Sequence, residues 1–162
     1  MYILGLSGGI RLGYHDIGAA LLYDGKLVGA VEEERFNWIK HSPTQLPELS
    51  IRSLLDSENI TIQDIDIVAS HGITWGDVFQ KVLTDYFEGE FGYCPPIESV
   101  HHHDAHAASA YYASGFDEAM ILTVDGSGMD CLVIGNYVLE KYMNTLWFSW
   151  WGILIVSLKI HI

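Results

Sequence analysis

The chain has 162 residues, 49% of them hydrophobic and 18% charged, which suits one domain or part of a larger one and excludes disorder by composition. Eight basic against 21 acidic residues leave a net charge of −13. That balance argues against non-specific nucleic-acid binding, which relies on Lys and Arg to neutralise phosphates, and it means an anionic substrate needs a metal or a locally basic pocket.

In chain order, Tyr2–Ser7 predicts a short apolar strand, followed by a glycine-rich turn at Gly8-Gly9 and Gly13. Apolar runs at 17–23 and 27–32 flank Asp24-Gly25, a hairpin signal because a type I′ turn needs positive φ. Pro43 and Pro47 bracket a loop. Glu48–Glu58 then has helical spacing, with Leu49, Leu54 and Leu55 on its apolar side. Residues 65–70 read as a buried parallel strand. Residues 75–87 predict an amphipathic helix with Val78, Phe79, Val82, Leu83 and Tyr86 inward, broken at Cys94-Pro95-Pro96. A strand at 97–100, a small-residue helix at 103–114 and strands at 119–124 and 132–139 complete the pattern. Three hairpin-linked strands followed by helix–strand alternation predict an α/β fold, a mixed sheet with helices on its faces.

The segment 146–158 is nearly all apolar and holds Trp147, Trp150 and Trp151, yet it falls short of the ~20 residues a membrane-spanning helix needs. A buried or interfacial segment is expected there, with no membrane span. Cys94 and Cys131 form no CxxC pair and read as free thiols of a reducing compartment. Residues 1–6 carry neither a basic start nor a long apolar core, so no signal peptide is expected and the expected location is cytoplasmic.

Chemistry concentrates at two places. His101-His102-His103-Asp104-Ala105-His106 opens a helix, and histidines four apart lie on one helical face, which suits two ligands of one divalent metal. His102 with His106 is one pairing and His103 with His106 its rival. The plain alternative is a polar helix start, with Asp104 favoured by the helix dipole. Asp125 ends an apolar strand and could add an oxygen ligand. The Gly126-Ser127-Gly128 turn after it reads as a hairpin, and its backbone N–H groups could equally cradle a phosphate. Ligands of α/β proteins gather beyond the C-terminal ends of strands, where Asp125 falls. His15-Asp16 follows the first glycine turn, and a histidine there could act as general base toward a substrate hydroxyl. Glu32-Glu33-Glu34-Arg35 and Lys40-His41 read as a solvated charge run, although Arg11, Lys26, Arg35 and Lys40 bring half the basic residues to this early segment.

Taken together, several segments resemble the nodulation and antibiotic O-carbamoyltransferases. They are Leu4-Gly5-Leu6 through Tyr14-His15-Asp16, Ala19-Ala20-Leu21, Asp24-Gly25-Lys26-Leu27-Val28, Glu32-Glu33-Glu34-Arg35-Phe36, Lys40-His41, the run from His102 to Ala110, and Thr123-Val124-Asp125-Gly126. The resemblance implies the N-terminal half of an actin/sugar-kinase-like domain related to the threonylcarbamoyl-adenosine synthases. Residues 1–143 would belong to it, and 144–162 would form a tail unlike the family. It further implies an Fe2+-type metal held by His102, His106 and Asp125, which positions a carbamoyl-adenylate made from carbamoyl phosphate and ATP. Carbamoyl would pass to an acceptor hydroxyl, such as that of a sugar. His15 would be the base or acceptor-orienting group, and Lys40 and Arg35 would contact phosphate or acceptor.

The family domain extends well beyond this length and adds a second aspartate ligand and an adenylate-forming domain, so this chain alone is expected to be inactive. Two other readings stay open: an ATP-binding actin-like module with no metal on histidine, and a non-enzymatic fragment whose apolar tail drives association. The sequence leaves the acceptor, the metal and the oligomeric state unassigned.

Overall fold

The computed structural model describes residues 1–8, 16–70, 77–117, 119–125 and 128–134. The chain divides into two compact units, Met1–Val100 and His101–Ile162.

In the first unit, β1 (Tyr2–Ser7), β2 (Gly18–Tyr23), β3 (Lys26–Glu32), β4 (Ile67–Ser70) and β5 (Ile97–Ser99) form a sheet of order β3-β2-β1-β4-β5. The first three strands pair antiparallel as two hairpin-like neighbours, whereas β1–β4 and β4–β5 are parallel, so the sheet is mixed as expected. Asp24 and Gly25 have φ of 47° and 76°, and Tyr23 pairs with Lys26, which is the two-residue type I′ turn that the Asp-Gly pair predicts. The ring of Tyr2 stacks on Tyr23 across β1 and β2 at 4.5 Å. The start of β4 is tied to β1 twice, by Asp66 N–H to the Tyr2 carbonyl and by Tyr2 N–H to the Asp66 carboxylate at 2.7 Å.

Two helices join this sheet in one core. Helix α2 (Glu48–Glu58) supplies Ile51, Leu54 and Leu55, and helix α3 (Asp77–Phe91) supplies Phe79, Leu83 and Phe87, all packed with Leu4, Leu6, Leu21 and Val68. The observed inner faces differ in detail from the expected ones. Leu49 and Val78 are exposed, because the 51-54-55 and 79-83-87 spacings fix the inward stripes: Val78 is turned about 100° from Phe79, and Leu49, two residues before Ile51, about 160° from it. Helix α3 also runs past residue 87 to Phe91. Phe91 lies one turn beyond Phe87 with ring centroids 5.7 Å apart, and the Arg52 guanidinium covers its ring at 4.7 Å, so the extra turn is packed. Gly92, at φ 72°, then releases the chain. The strands expected at 65–70 and 97–100 are shorter, with a 3-10 turn at Ile62–Asp64 preceding β4.

Close approach of α2 to β3 depends on Gly29, where an added Cβ would meet Leu54 Cδ2 at 2.8 Å. Gly29→Ala is therefore expected to destabilise by about 1–3 kcal/mol, read as a lower urea midpoint with unchanged slope. The Tyr86 hydroxyl is buried with no hydrogen-bond partner among the described residues, and burial pushes its pKa upward. Tyr86→Phe removes that unpaired group, so stability should hold or rise by about 1 kcal/mol. A loss of that size would show that the hydroxyl is satisfied in solution.

In the second unit, helix α4 (His102–Ser114) packs against strand β6 (Ala119–Asp125), which pairs antiparallel with β7 (Gly128–Ile134). The closing pair Asp125↔Gly128 is that of a two-residue hairpin, as the sequence suggested, but β7 begins at Gly128 rather than at 132. Residues 135–162, including the apolar tail, lie outside the described residues. Among the described residues no helix is long and apolar enough to cross a membrane.

Candidate functional site

The first cluster is built around Glu33, between β3 and the four-residue helix α1 (Glu34–Asn37), an element that sequence periodicity did not indicate. Glu33 is only 3% exposed, so this member of the acidic run is not solvated. Helix α2 opens at Pro47, which offers no side-chain acceptor to the helix start. The Glu33 carboxylate takes that place. It accepts the N–H groups of Leu49 and Ser50 at 3.0 and 2.8 Å and the Ser50 hydroxyl at 2.7 Å. A negative charge at a helix N-terminus is also favoured by the dipole. This single carboxylate joins the end of β3 to α2.

That loop is held in an unusual backbone state. Trp38, His41, Ser42 and Thr44 all have positive φ, between 40° and 64°, and so does Asp16 at 58°. Such residues persist only where their surroundings over-determine them. Here Asn37 Nδ2 donates to Ser42 Oγ at 2.9 Å and to Gln45 Oε1 at 3.2 Å, while Ile39 N–H donates to Asn37 Oδ1 at 2.8 Å. His41 N–H donates to Glu34 Oε2 at 2.8 Å. The His41 Nδ1 atom lies 2.7 Å from Asp16 Oδ1, and Asp16 N–H donates to the His41 carbonyl at 2.9 Å. The two segments His15-Asp16 and Lys40-His41 are thus joined at Asp16 and His41, a contact between positions 25 apart that no local pattern signals.

Arg35 is exposed, with Glu32 at 3.0 Å and Glu34 at 3.9 Å. Lys40 is exposed and lines, with Glu34, Arg35 and Trp38, an open concavity of about 310 Å³. Arg35 and Lys40, expected to contact phosphate or acceptor, border this one concavity. His15 lies outside the described residues. Away from this cluster, Cys94 is a free, half-buried thiol, and burial pushes its pKa up, so it does not have the low-pKa character of a nucleophile.

The second cluster lies in the second unit. His101 has extended backbone angles and its ring accepts the His103 N–H at 3.3 Å, so the first histidine of the run serves as the helix cap. His101 and His103 rings meet edge to face at 5.6 Å. His102 is the first residue of α4 and His106 follows one turn later, half-buried among the alanines. Ala107 and Ala110 are buried, which lets the helix approach closely. Asp125 is the last residue of β6, the strand on which α4 packs. The side chains of His102 and Asp125, and Gly126 and Ser127 entirely, lie outside the described residues, and Gly128 is seen as the first residue of β7. Among the described residues no three His, Cys, Asp or Glu side chains are placed to hold a metal.

Comparison with solved structures shows the class of fold. A YeaZ structure from Pseudomonas aeruginosa superposes with a TM-score of 0.51 at 16% identity, covering 83% of this chain and 61% of that one. The architecture is that of the actin-like proteins. In sequence, residues 76–147 match the family described as Carbamoyltransferase N-terminus. The nodulation protein NolNO of Sinorhizobium fredii is 34% identical, over 79% of this chain and 23% of that protein. An uncharacterised protein of Synechocystis is 32% identical, over 74% of this chain and 25% of its own length. The chain is similar in sequence to these proteins over most of its own length and spans about a quarter of theirs.

Proposed function

We propose that this chain supplies the metal-binding and acceptor-side elements of a carbamoyltransferase that moves carbamoyl from a carbamoyl-adenylate, formed from carbamoyl phosphate and ATP, to an acceptor hydroxyl such as that of a sugar. His102, His106 and Asp125 would hold a divalent metal. Two imidazoles and one carboxylate are the donor set of many Fe2+ sites, so the residue types fit. The observation that carries the reading is that the helix bearing His102 and His106 packs on the strand that ends at Asp125, within one compact unit.

The metal, when bound, supplies positive charge that orients an anionic ligand. The chain's own residues do the rest. Gly126, Ser127 and Gly128 would offer backbone N–H groups to phosphate. Lys40 and Arg35 would oppose phosphate or acceptor charge in an otherwise acidic chain. His15 would take the proton of the acceptor hydroxyl or orient it. Without the remainder of a full-length relative, transfer by the isolated chain is expected to be absent or nearly so.

Anaerobic equilibrium dialysis against Fe2+ tests the reading. About one ion per chain should bind. Joint replacement of His102 and His106 should abolish binding, whereas unchanged binding would move the metal elsewhere.

A further inference from the structure

We propose that His41, held at Nδ1 by the Asp16 carboxylate, is a general base at the C-terminal end of β1, taking at Nε2 the proton of a hydroxyl brought there. The proposal rests on the reading of this chain as the acceptor side of a carbamoyltransferase and assigns proton removal to a residue other than His15.

The chemistry starts from one contact. His41 Nδ1 lies 2.7 Å from Asp16 Oδ1. An ionised carboxylate can only accept, so the ring carries a proton on Nδ1 and, when neutral, a lone pair on Nε2. A histidine fixed in that tautomer by a carboxylate is a base oriented by a third group, and the carboxylate stabilises the imidazolium that forms. The His41 side chain is 51% exposed, so the ring meets solvent.

An ordinary surface ion pair does not require what surrounds this one. Asp16 and His41 both hold left-handed backbone, at φ 58° and 64°, a state that costs an L residue and gathers at functional sites. Three hydrogen bonds grip them there. Asp16 N–H donates to the His41 carbonyl at 2.9 Å, the Asp16 carbonyl accepts the Ser7 hydroxyl at 3.1 Å, and His41 N–H donates to Glu34 Oε2 at 2.8 Å. Ser7 ends β1, which runs parallel to β4, so the pair sits at the strand ends where α/β proteins collect ligands. Lys40, the preceding residue, and Glu34 line the concavity of about 310 Å³. Glu34 offsets Lys40 there and Glu32 pairs with Arg35, a balance that suits an uncharged hydroxyl compound.

In the transfer, the hydroxyl proton passes to Nε2 as the hydroxyl oxygen bonds to the carbamoyl carbon. The bond from that carbon to the adenylate oxygen breaks and AMP leaves. Asp16 stays ionised beside the imidazolium, which then returns its proton to water.

Base action can be read on the full chain with ethyl dichloroacetate, an ester that imidazole hydrolyses by taking a proton from water. The water oxygen bonds to the acyl carbon, and ethoxide leaves and is protonated to ethanol. The chain has eight histidines, so equivalent rings would each supply one-eighth of the histidine-dependent rate. His41→Asn should remove more than that share, about half of the rate. Asp16→Asn should cause the same loss, because an amide that donates to Nδ1 selects the wrong tautomer. Asparagine adopts left-handed backbone readily, so both variants keep the loop. A loss no greater than the one-eighth share, or a full rate in Asp16→Asn, overturns the proposal. So does a nitrogen-15 spectrum of the parent with the neutral His41 ring protonated on Nε2. Fe2+ binding should be unchanged in both variants. Loss of Fe2+ binding by the parent with base action intact would sink the carbamoyltransferase reading alone, and absent base action with Fe2+ bound would sink the Asp16–His41 base alone.

Discussion

Replacement of Glu33 by alanine is expected to lower stability by about 2–4 kcal/mol, more than any other change within the acidic run. The substitution removes a buried acceptor from three donors and leaves two N–H groups at the start of α2 and the Ser50 hydroxyl without it. Water reaches them poorly, since Ser50 is fully buried. Glu33→Gln tests the cause. An amide keeps one acceptor oxygen but turns an NH2 group toward donors, so it should recover only part of the loss. Glu32→Ala, at an exposed position, should cost under about 0.5 kcal/mol. Urea unfolding of the three variants gives the comparison. Equal stability of Glu33→Ala and the parent would mean that the cap is replaceable.

The second large effect is on metal affinity. His106→Ala should reduce it by about 100-fold or more, since loss of even an outer-shell partner of a ligand typically costs 10–100-fold. His102→Ala should match it. His103→Ala should change affinity little, because its backbone N–H is tied to the helix cap and i,i+4 geometry favours His102 as partner of His106. The opposite ranking of His102 and His103 would select the rival pairing. Ligating imidazoles must be neutral, so affinity should fall as pH is lowered and protons compete with the metal for them. Metal at about 100 times its dissociation constant should stabilise the parent by ~2.7 kcal/mol and leave His106→Ala nearly unmoved.

Much of the fold was legible because its signals are local. Asp24-Gly25 names its own turn type, Pro47 marks the start of α2, and the apolar run Tyr2–Ser7 forms β1. What escaped was set by distant partners. Helix α1 is only four residues long and has no period to read. Glu33 looks like its neighbours Glu32 and Glu34 in sequence, and only the fold brings it to a helix start 17 positions away. The reach of α3 to Phe91 depended on Arg52 and Phe87 being there to pack it.

The candidate site divides in the same way. Spacing narrowed the histidines to His102 or His103 with His106, the family resemblance selected His102, and Asp125 was suggested by its place at the end of a strand. The Asp16–His41 contact could not be chosen in that way, although both residues lie inside segments that resemble the family. The exposure of Trp38 had no signal in sequence, because an exposed tryptophan and a buried one are spelled alike. Its exposure and its left-handed backbone are properties of the folded loop.

X-ray absorption at the iron edge, on the chain loaded anaerobically with one equivalent of Fe2+, tests the central claim most directly. The account predicts a first shell of nitrogen and oxygen near 2.0–2.2 Å, typical of imidazole and carboxylate donors, with the outer-shell scattering of two imidazoles, reduced to one in His106→Ala. A spectrum with no imidazole scattering, with sulfur in the first shell, or identical in the two proteins would contradict it.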